Sequence, residues 1–307
     1  MSAGNGTRAI VAALAANAGI AVAKFIGFLV TGSSSMLAEA VHSLADTSNQ
    51  GLLLLGKKRA ARPADAAHPF GFGRDRFFYS FVVALLLFSL GSMFALYEGI
   101  HKIGHPEPLS SPVVAIVILG VAILLEGYSF RTAIQESRPL KGDRTWWRFI
   151  REATEPELPV VLLEDFGALI GLVLAMFGVV LAVVTGNGVW DGIGTICIGV
   201  LLGIIAVILI IEMKSLLIGE GADSGTLANI RGALEAGRVE RVLHIQTQYL
   251  GPDELLVAAK IALTSGLAVE DVARAIDDAE RRVRATVPNA KFIYLEPDLD
   301  RTAPASR

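Results

Sequence analysis

Glu39-Ala40-Val41-His42-Ser43-Leu44-Ala45-Asp46-Thr47-Ser48-Asn49 interrupts a small-residue, apolar segment with four strongly polar side chains, three of them ionisable. At 3.6 residues per turn, Glu39, His42, Asp46 and Asn49 share a helix stripe about 80° wide. Ionisable groups in a membrane helix are costly unless a partner or an ion uses them. An imidazole and a carboxylate one turn apart suit zinc, and also manganese, iron or cobalt. Cation handling is therefore the first functional expectation, with His42 and Asp46 at the middle of a path from Glu39 to Asn49.

The surrounding composition supports the membrane reading. Of 307 residues, 53% are hydrophobic and only 19% charged, with a mean hydropathy of +0.55. The apolar residues gather into blocks at about 9–30, 37–56, 78–100, 113–133, 159–183 and 189–212. Each is close to the roughly twenty residues that cross about 30 Å of hydrocarbon. A buried core helix is the alternative for any one block, most of all for the second. The N-terminal block, preceded only by Arg8, reads as a first span rather than a removed signal. Net charge −3 and a pI near 6.0 give no reason to expect nucleic-acid binding. The single cysteine, Cys197, cannot form an internal disulfide.

Loop charges orient the six blocks. The second connection carries Lys57, Lys58, Arg59, Arg62, Arg74 and Arg76, and the fourth carries Arg138, Lys141, Arg144, Arg148 and Arg151. The first, third and fifth hold Thr31–Ser35, Lys102 alone, and Thr185-Gly186-Asn187-Gly188. Short Lys/Arg-rich loops stay cytoplasmic, so both termini are expected inside a cell (inner) membrane. The stretch 141–153, with Trp146, Trp147 and Phe149 among basic residues, is expected to lie along the interface.

After Lys214 the chain turns charged. A hinge-like Gly219–Gly225 leads to a helix near 225–236, a strand at Val239–Tyr249 and a Gly251-Pro252-Asp253 turn. Next come a strand at Glu254–Leu263, a helix at Ala268–Val287 and a strand at Lys291–Leu295. Strict alternation would put Val242, His244 and Gln246 on one face. The expected fold is thus a six-helix transmembrane bundle over 1–216 and a small αββαβ α+β domain over 217–307. So small a domain benefits from a partner.

Within the fifth block, Val160–Val183, Glu164-Asp165 interrupt a run of Val, Leu, Gly, Ala and Phe. Sequence neighbours point about 100° apart, so one of them, Asp165, is expected to face the cavity of His42, with Glu164 at its edge. The alternative is a helix cap, although Glu155, Pro156, Glu157 and Pro159 already offer a start. Asn17 and Lys24 share a face of the first span, where Lys24 could neutralise a carboxylate. Glu98 and Glu126 read as interface or loop-end residues, and Asp191 as an acidic cap. Gly167, Gly171, Gly178, Gly192, Gly194, Gly199 and Gly203 read as points of close helix packing.

These residues resemble the cation diffusion facilitator family. The likeness rests on Gly32-Ser33-Ser34-Ser35-Met36-Leu37-Ala38-Glu39-Ala40-Val41-His42-Ser43-Leu44-Ala45-Asp46, on His68-Pro69-Phe70-Gly71-Phe72-Gly73-Arg74, on Asp165 followed by Gly171, and on six spans plus an αββαβ tail. The second-span motif resembles the subgroup that includes human zinc transporter 9. The resemblance implies a homodimeric antiporter that exports a divalent cation, commonly zinc, from the cytoplasm in exchange for protons, with a ferredoxin-like cytoplasmic domain. It maps metal ligands onto His42, Asp46 and Asp165. The family's usual fourth position falls on Val161, which leaves Glu164, Asn49 or water to complete the set.

The family's second site usually takes a histidine where Phe72 stands, leaving His68 and Asp75 as its candidates. In the tail, His244 and Glu296 resemble cytoplasmic ligands and Tyr294 stands where some members have histidine. Dimerisation is therefore expected to rest on packing.

The expected cargo is a divalent cation, Zn2+ first, with no organic cofactor; partners are protons, the lipid bilayer and a second copy. Metal and protons compete for the same lone pairs, which couples their movements, and a histidine supplies the proton-sensitive element. No nucleophilic triad, Walker loop or dinucleotide fingerprint occurs, so ATP-driven pumping has no sequence support. A membrane metal hydrolase, which lacks a His-Glu-x-x-His signature here, and a non-transporting metal sensor are the alternatives.

Overall fold

The computed structural model describes residues 18–106, 111–153 and 155–300. The chain separates into two compact units, one up to Lys58 with Phe78–Lys214, the other Arg59–Phe77 with Ser215 onward. Residues 1–17, with Arg8, Asn17 and the onset of the first apolar block, lie outside the described residues.

The first unit is helical. Helix α1 (Ala18–Thr31) gives way to α2 (Ser34–Ala60) across Gly32, whose φ of 67° is a left-handed backbone that only glycine adopts at little cost. Helix α3 (Asp75–Gly104) contains a wider π-type stretch at Leu87–Met93. Helix α4 (Pro112–Lys141) begins with a proline where its missing N–H costs nothing. The short α5 (Trp146–Glu152) is capped by Thr145, whose hydroxyl accepts from the Arg148 amide at 3.2 Å. Helix α6 (Glu157–Thr185) stops at left-handed Gly186, and α7 (Val189–Ile218) comes after it.

Four of the described helices, α3, α4, α6 and α7, are long and apolar enough to cross a membrane. Helix α2 is 27 residues long, but its polar stripe dilutes its apolarity. The described part of α1 is apolar and shorter.

Glycines bring α6, α7 and α3 close together. A Cβ on Gly178 would sit 3.1 Å from the Trp190 carbonyl oxygen, and one on Gly194 3.2 Å from the Gly178 Cα. On the other side of α7, a Cβ on Gly192 would sit 3.0 Å from the Gly99 carbonyl oxygen. Backbones this close gain dispersion contacts where no hydrophobic effect separates helix from lipid.

Asp191 does more than cap its own helix. Fully buried, it accepts from Ser33 Oγ at 2.8 Å, Ser34 N at 2.7 Å and Ser35 N at 3.4 Å. One carboxylate thus satisfies orphan donors at the start of α2 while standing in the first turn of α7. Glu98 joins this cluster instead of ending a loop, accepting from Ser34 Oγ at 3.0 Å. Asp191→Ala strands those donors in a buried setting, and a loss of about 2–4 kcal/mol is expected. Denaturant titration in detergent checks it, and an unchanged midpoint would contradict the clamp.

The second unit holds α8 (Ser224–Leu234), β1 (Val239–Gly251), β2 (Glu254–Leu263), α9 (Val269–Thr286) and β3 (Ala290–Pro297). Asp223 caps α8 by accepting from the amides of Gly225 and Thr226. The sheet order is β1-β2-β3, with β1 antiparallel and β3 parallel to the central strand. Parallel pairing requires a crossover, and α9 supplies it. Ile230, Leu234, Leu255, Val257, Ile261, Ala279, Val283 and Ala290, all fully buried, form the core between sheet and helices.

The strand faces differ from simple alternation. Val242 pairs with Ile261 and His244 with Lys260, so Leu243 is an extra residue in a bulge. A bulge switches the face of the residues beyond it, and His244 and Gln246 face away from buried Val242.

The connection 59–77 packs within this second unit. Phe70 meets Phe292 edge-on at 5.2 Å, and Arg76 pairs with Asp253 at 3.2 Å.

Candidate metal site

The polar stripe of α2 faces protein. Glu39, His42 and Asn49 are buried, and Asp46 is 16% exposed. Each is handled differently by the helix it meets.

At the start of the stripe, Lys24 of α1 donates to Glu39 Oε2 at 3.1 Å and to Ser43 Oγ at 2.7 Å. The ammonium and carboxylate are both fully buried, so the expectation of Lys24 as a neutralising cation has a partner in Glu39. At the other end, Asn49 Nδ2 donates to Glu164 Oε1 of α6 at 2.7 Å.

Between these ties, His42 Nε2 stands 3.5 Å from Asp46 Oδ2. Among the described residues, both ring nitrogens and Asp46 Oδ1 are buried without a hydrogen-bond partner. Buried polar atoms are nearly always satisfied, so groups left open beside one another suit a ligand that supplies the missing contact. The Cβ of an alanine at Gly91 would sit 3.9 Å from His42 Nδ1, so α3 packs against the imidazole with almost no side chain.

Asp46, Glu164 and Asp165 line one small cavity of about 20 Å³, together with Ile20, Ser43, Gln50, Glu126, Ser129 and Val161. That is room for about one water-sized guest. Asp165 accepts from Ser129 Oγ of α4 at 3.0 Å, while Glu164 turns toward α2 through Asn49. Asp165, expected to face the cavity, and Glu164, expected at its edge, both border it, because the cavity lies where α1, α2, α4 and α6 meet. Residues 100° apart on α6 both border it. His42 does not line the cavity, and meets it only through its 3.5 Å approach to Asp46. Among the described residues no three His, Cys, Asp or Glu side chains close onto a single point.

Glu126, which from its sequence reads as an interface or loop-end residue, shares the cavity with Asp46 and Asp165. The available signal was a carboxylate well inside the fourth apolar block, one turn before Ser129.

The other candidates are engaged elsewhere. His68 pairs with Asp65 at 3.1 Å on an exposed loop, rather than with Asp75. The His68 backbone amide holds the Asp65 carboxyl below its ordinary range. His244 lines an open groove with Tyr294 and Glu296, but Glu296 pairs with Lys260 at 3.1 Å. That hydrogen bond raises the Lys260 pKa.

The sequence matches the family model of the cation efflux transmembrane domain over residues 10–218. It is 34% identical over 224 residues to the mitochondrial proton-coupled zinc antiporter SLC30A9 of Mus musculus, covering 72% of this chain and 39% of that protein. Metal tolerance protein C4 of Arabidopsis thaliana is 31% identical over 267 residues, covering 86% of this chain and 58% of that protein. Magnetosome protein MamB of Paramagnetospirillum magneticum is 24% identical over 268 residues, with 87% and 85% covered. The chain spans about two fifths of the length of the mouse relative it matches. With the family model covering most of the chain and the α2 motif facing a carboxylate-lined cavity, the chain belongs to the cation efflux, or cation diffusion facilitator, family and resembles its SLC30A9 members.

Proposed function

We propose that the protein is a secondary active transporter that exports a divalent cation, zinc first, from the cytoplasm in exchange for protons. It is not an enzyme, and it works as a homodimer in a membrane with both termini cytoplasmic. In this reading α1, α2, α3, α4, α6 and α7 are the six spans of a domain covering 1–216. Residues 217–307 form a ferredoxin-like cytoplasmic domain. The observation that carries the reading is the cavity bordered by Asp46, Glu164 and Asp165, with the buried His42 imidazole 3.5 Å from Asp46.

The cycle rests on competition for lone pairs. From the cytoplasmic side a cation enters the open cavity, neutralises carboxylates and displaces protons. Its arrival removes the like-charge repulsion among acids in a low-dielectric setting. Movement of the ligand-bearing helices opens the site to the other side, where protons reclaim His42 and the carboxylates and the metal departs. Imidazole beside carboxylate favours zinc, while an oxygen-rich cavity also admits manganese, iron or cobalt.

Metal-driven proton movement in sealed vesicles containing the purified chain tests this. A zinc gradient is expected to drive protons in the opposite direction, with manganese, iron and cobalt competing. Metal binding without flux would make the protein a sensor and overturn the transport reading.

A further inference from the structure

The cavity is bordered by α1, α2, α4 and α6, and α4 brings its own acid. Glu126 and Ser129 of α4 stand three residues apart on one face, and both line the cavity. Ser129 fixes the geometry, since its hydroxyl holds Asp165 Oδ2 at 3.0 Å. Glu126, one turn away, borders the same cavity as Asp46 and Asp165.

The neighbours make Glu126 the best remaining donor. Lys24 is committed to Glu39 and Ser43. Glu164 has one oxygen tied to Asn49. Val161, one turn before Asp165 on α6, presents only an apolar wall. A divalent ion seated between Asp46 and Asp165 needs about four donors if it is zinc and more if it is manganese. Beside these acids, His42 is 1% exposed, and among the described residues both its ring nitrogens lack a hydrogen-bond partner. An open imidazole 3.5 Å from Asp46 marks the cluster as a ligand site rather than a patch of acids.

We infer that Glu126 of α4 is a ligand of the transported cation. The binding set is then drawn from α2, α4 and α6, with Asp46, Glu126 and Asp165 as its carboxylates. The inference rests on the transport reading above and adds a ligand that also sets metal preference. Three carboxylates make an oxygen-rich site, which narrows the advantage of zinc over manganese.

The test uses the full chain in sealed vesicles, with zinc and manganese each supplied alone, beside calorimetric binding in detergent. Glu126→Gln keeps shape and removes charge; it is expected to weaken zinc binding and slow flux by about 10–100-fold without changing the unfolding midpoint. Val161→His places an imidazole on the same wall, and adding it to Glu126→Gln is expected to recover most of the binding. Glu126→His is expected to raise the zinc-to-manganese flux ratio at least about fivefold, a readout that loss of packing does not produce.

Glu126→Gln with affinity and flux within about twofold of the unaltered protein, alongside an inactive Asp46→Ala, would remove Glu126 from the site and leave the transport reading standing. If Glu126→Gln fails to fold, an unchanged metal ratio in Glu126→His overturns the inference instead. Unaltered flux in Asp46→Ala would remove the cavity itself from the transport path.

Discussion

Asp46→Ala is expected to abolish metal-driven proton flux, by at least about 100-fold, while the protein stays folded and elutes at an unchanged size. Asp165→Ala is expected to do the same. Both carboxylates line the cavity, and neither contributes much to folding. Asp46 Oδ1 has no hydrogen-bond partner to lose, and Asp165 gives up one bond, from Ser129. Removing a buried acid held by so few contacts relieves a desolvation cost, so a loss of flux without a loss of stability belongs to the ion. Vesicle flux beside size-exclusion profiles and unfolding midpoints separates the two effects. Unaltered flux in both variants would defeat the site assignment.

Lys24→Met is expected to act on the fold. The ammonium is fully buried and held by Glu39 and Ser43, while Glu39 Oε1 already lacks a partner. Without Lys24 the Glu39 carboxylate is a buried charge with nothing opposite it. Breaking one side of such a pair costs about 3–5 kcal/mol. The double variant Lys24→Met/Glu39→Gln is expected to recover most of that loss, since neutralising both partners removes the unpaired charge. Unfolding titrations of the two variants beside the parent measure it. A single variant as stable as the parent would mean that the pair contributes little to folding.

Much of the architecture could be read from the chain because hydropathy is a local property. The apolar blocks near 78–100, 113–133, 159–183 and 189–212 fall inside α3, α4, α6 and α7, each of which runs on past the C-terminal end of its block. The tail was legible in period-two and period-3.6 patterns, with strand ends within two residues at β1 and β3. What local patterns miss is lateral. The extra residue at Leu243 leaves no mark in composition, so simple alternation puts His244 on the wrong face.

The candidate site divides in the same way. Spacing alone singled out His42, Asp46, Glu164 and Asp165, because charged groups stand out against Val, Leu and Ala. Which helices share a cavity depends on packing partners, so Glu126 in isolation reads as an end residue. Asp191 likewise reads as a cap for its own helix, although its hydrogen bonds go to another helix's first turn.

Two of the ligand-bearing helices are riveted to α7 near one end: α2 through the carboxylate that gathers Ser33, Ser34 and Ser35, and α6 through glycine meeting glycine at 178 and 194. Measured along α2 at 1.5 Å per residue, Asp46 lies about 16 Å from Ser35. As a lever arm pivoted there, a tilt of about 10° swings its carboxyl by roughly 3 Å, more than the ~2 Å length of a metal–oxygen bond. A modest rocking of one rod against a fixed pivot is therefore enough to make or break the grip on an ion.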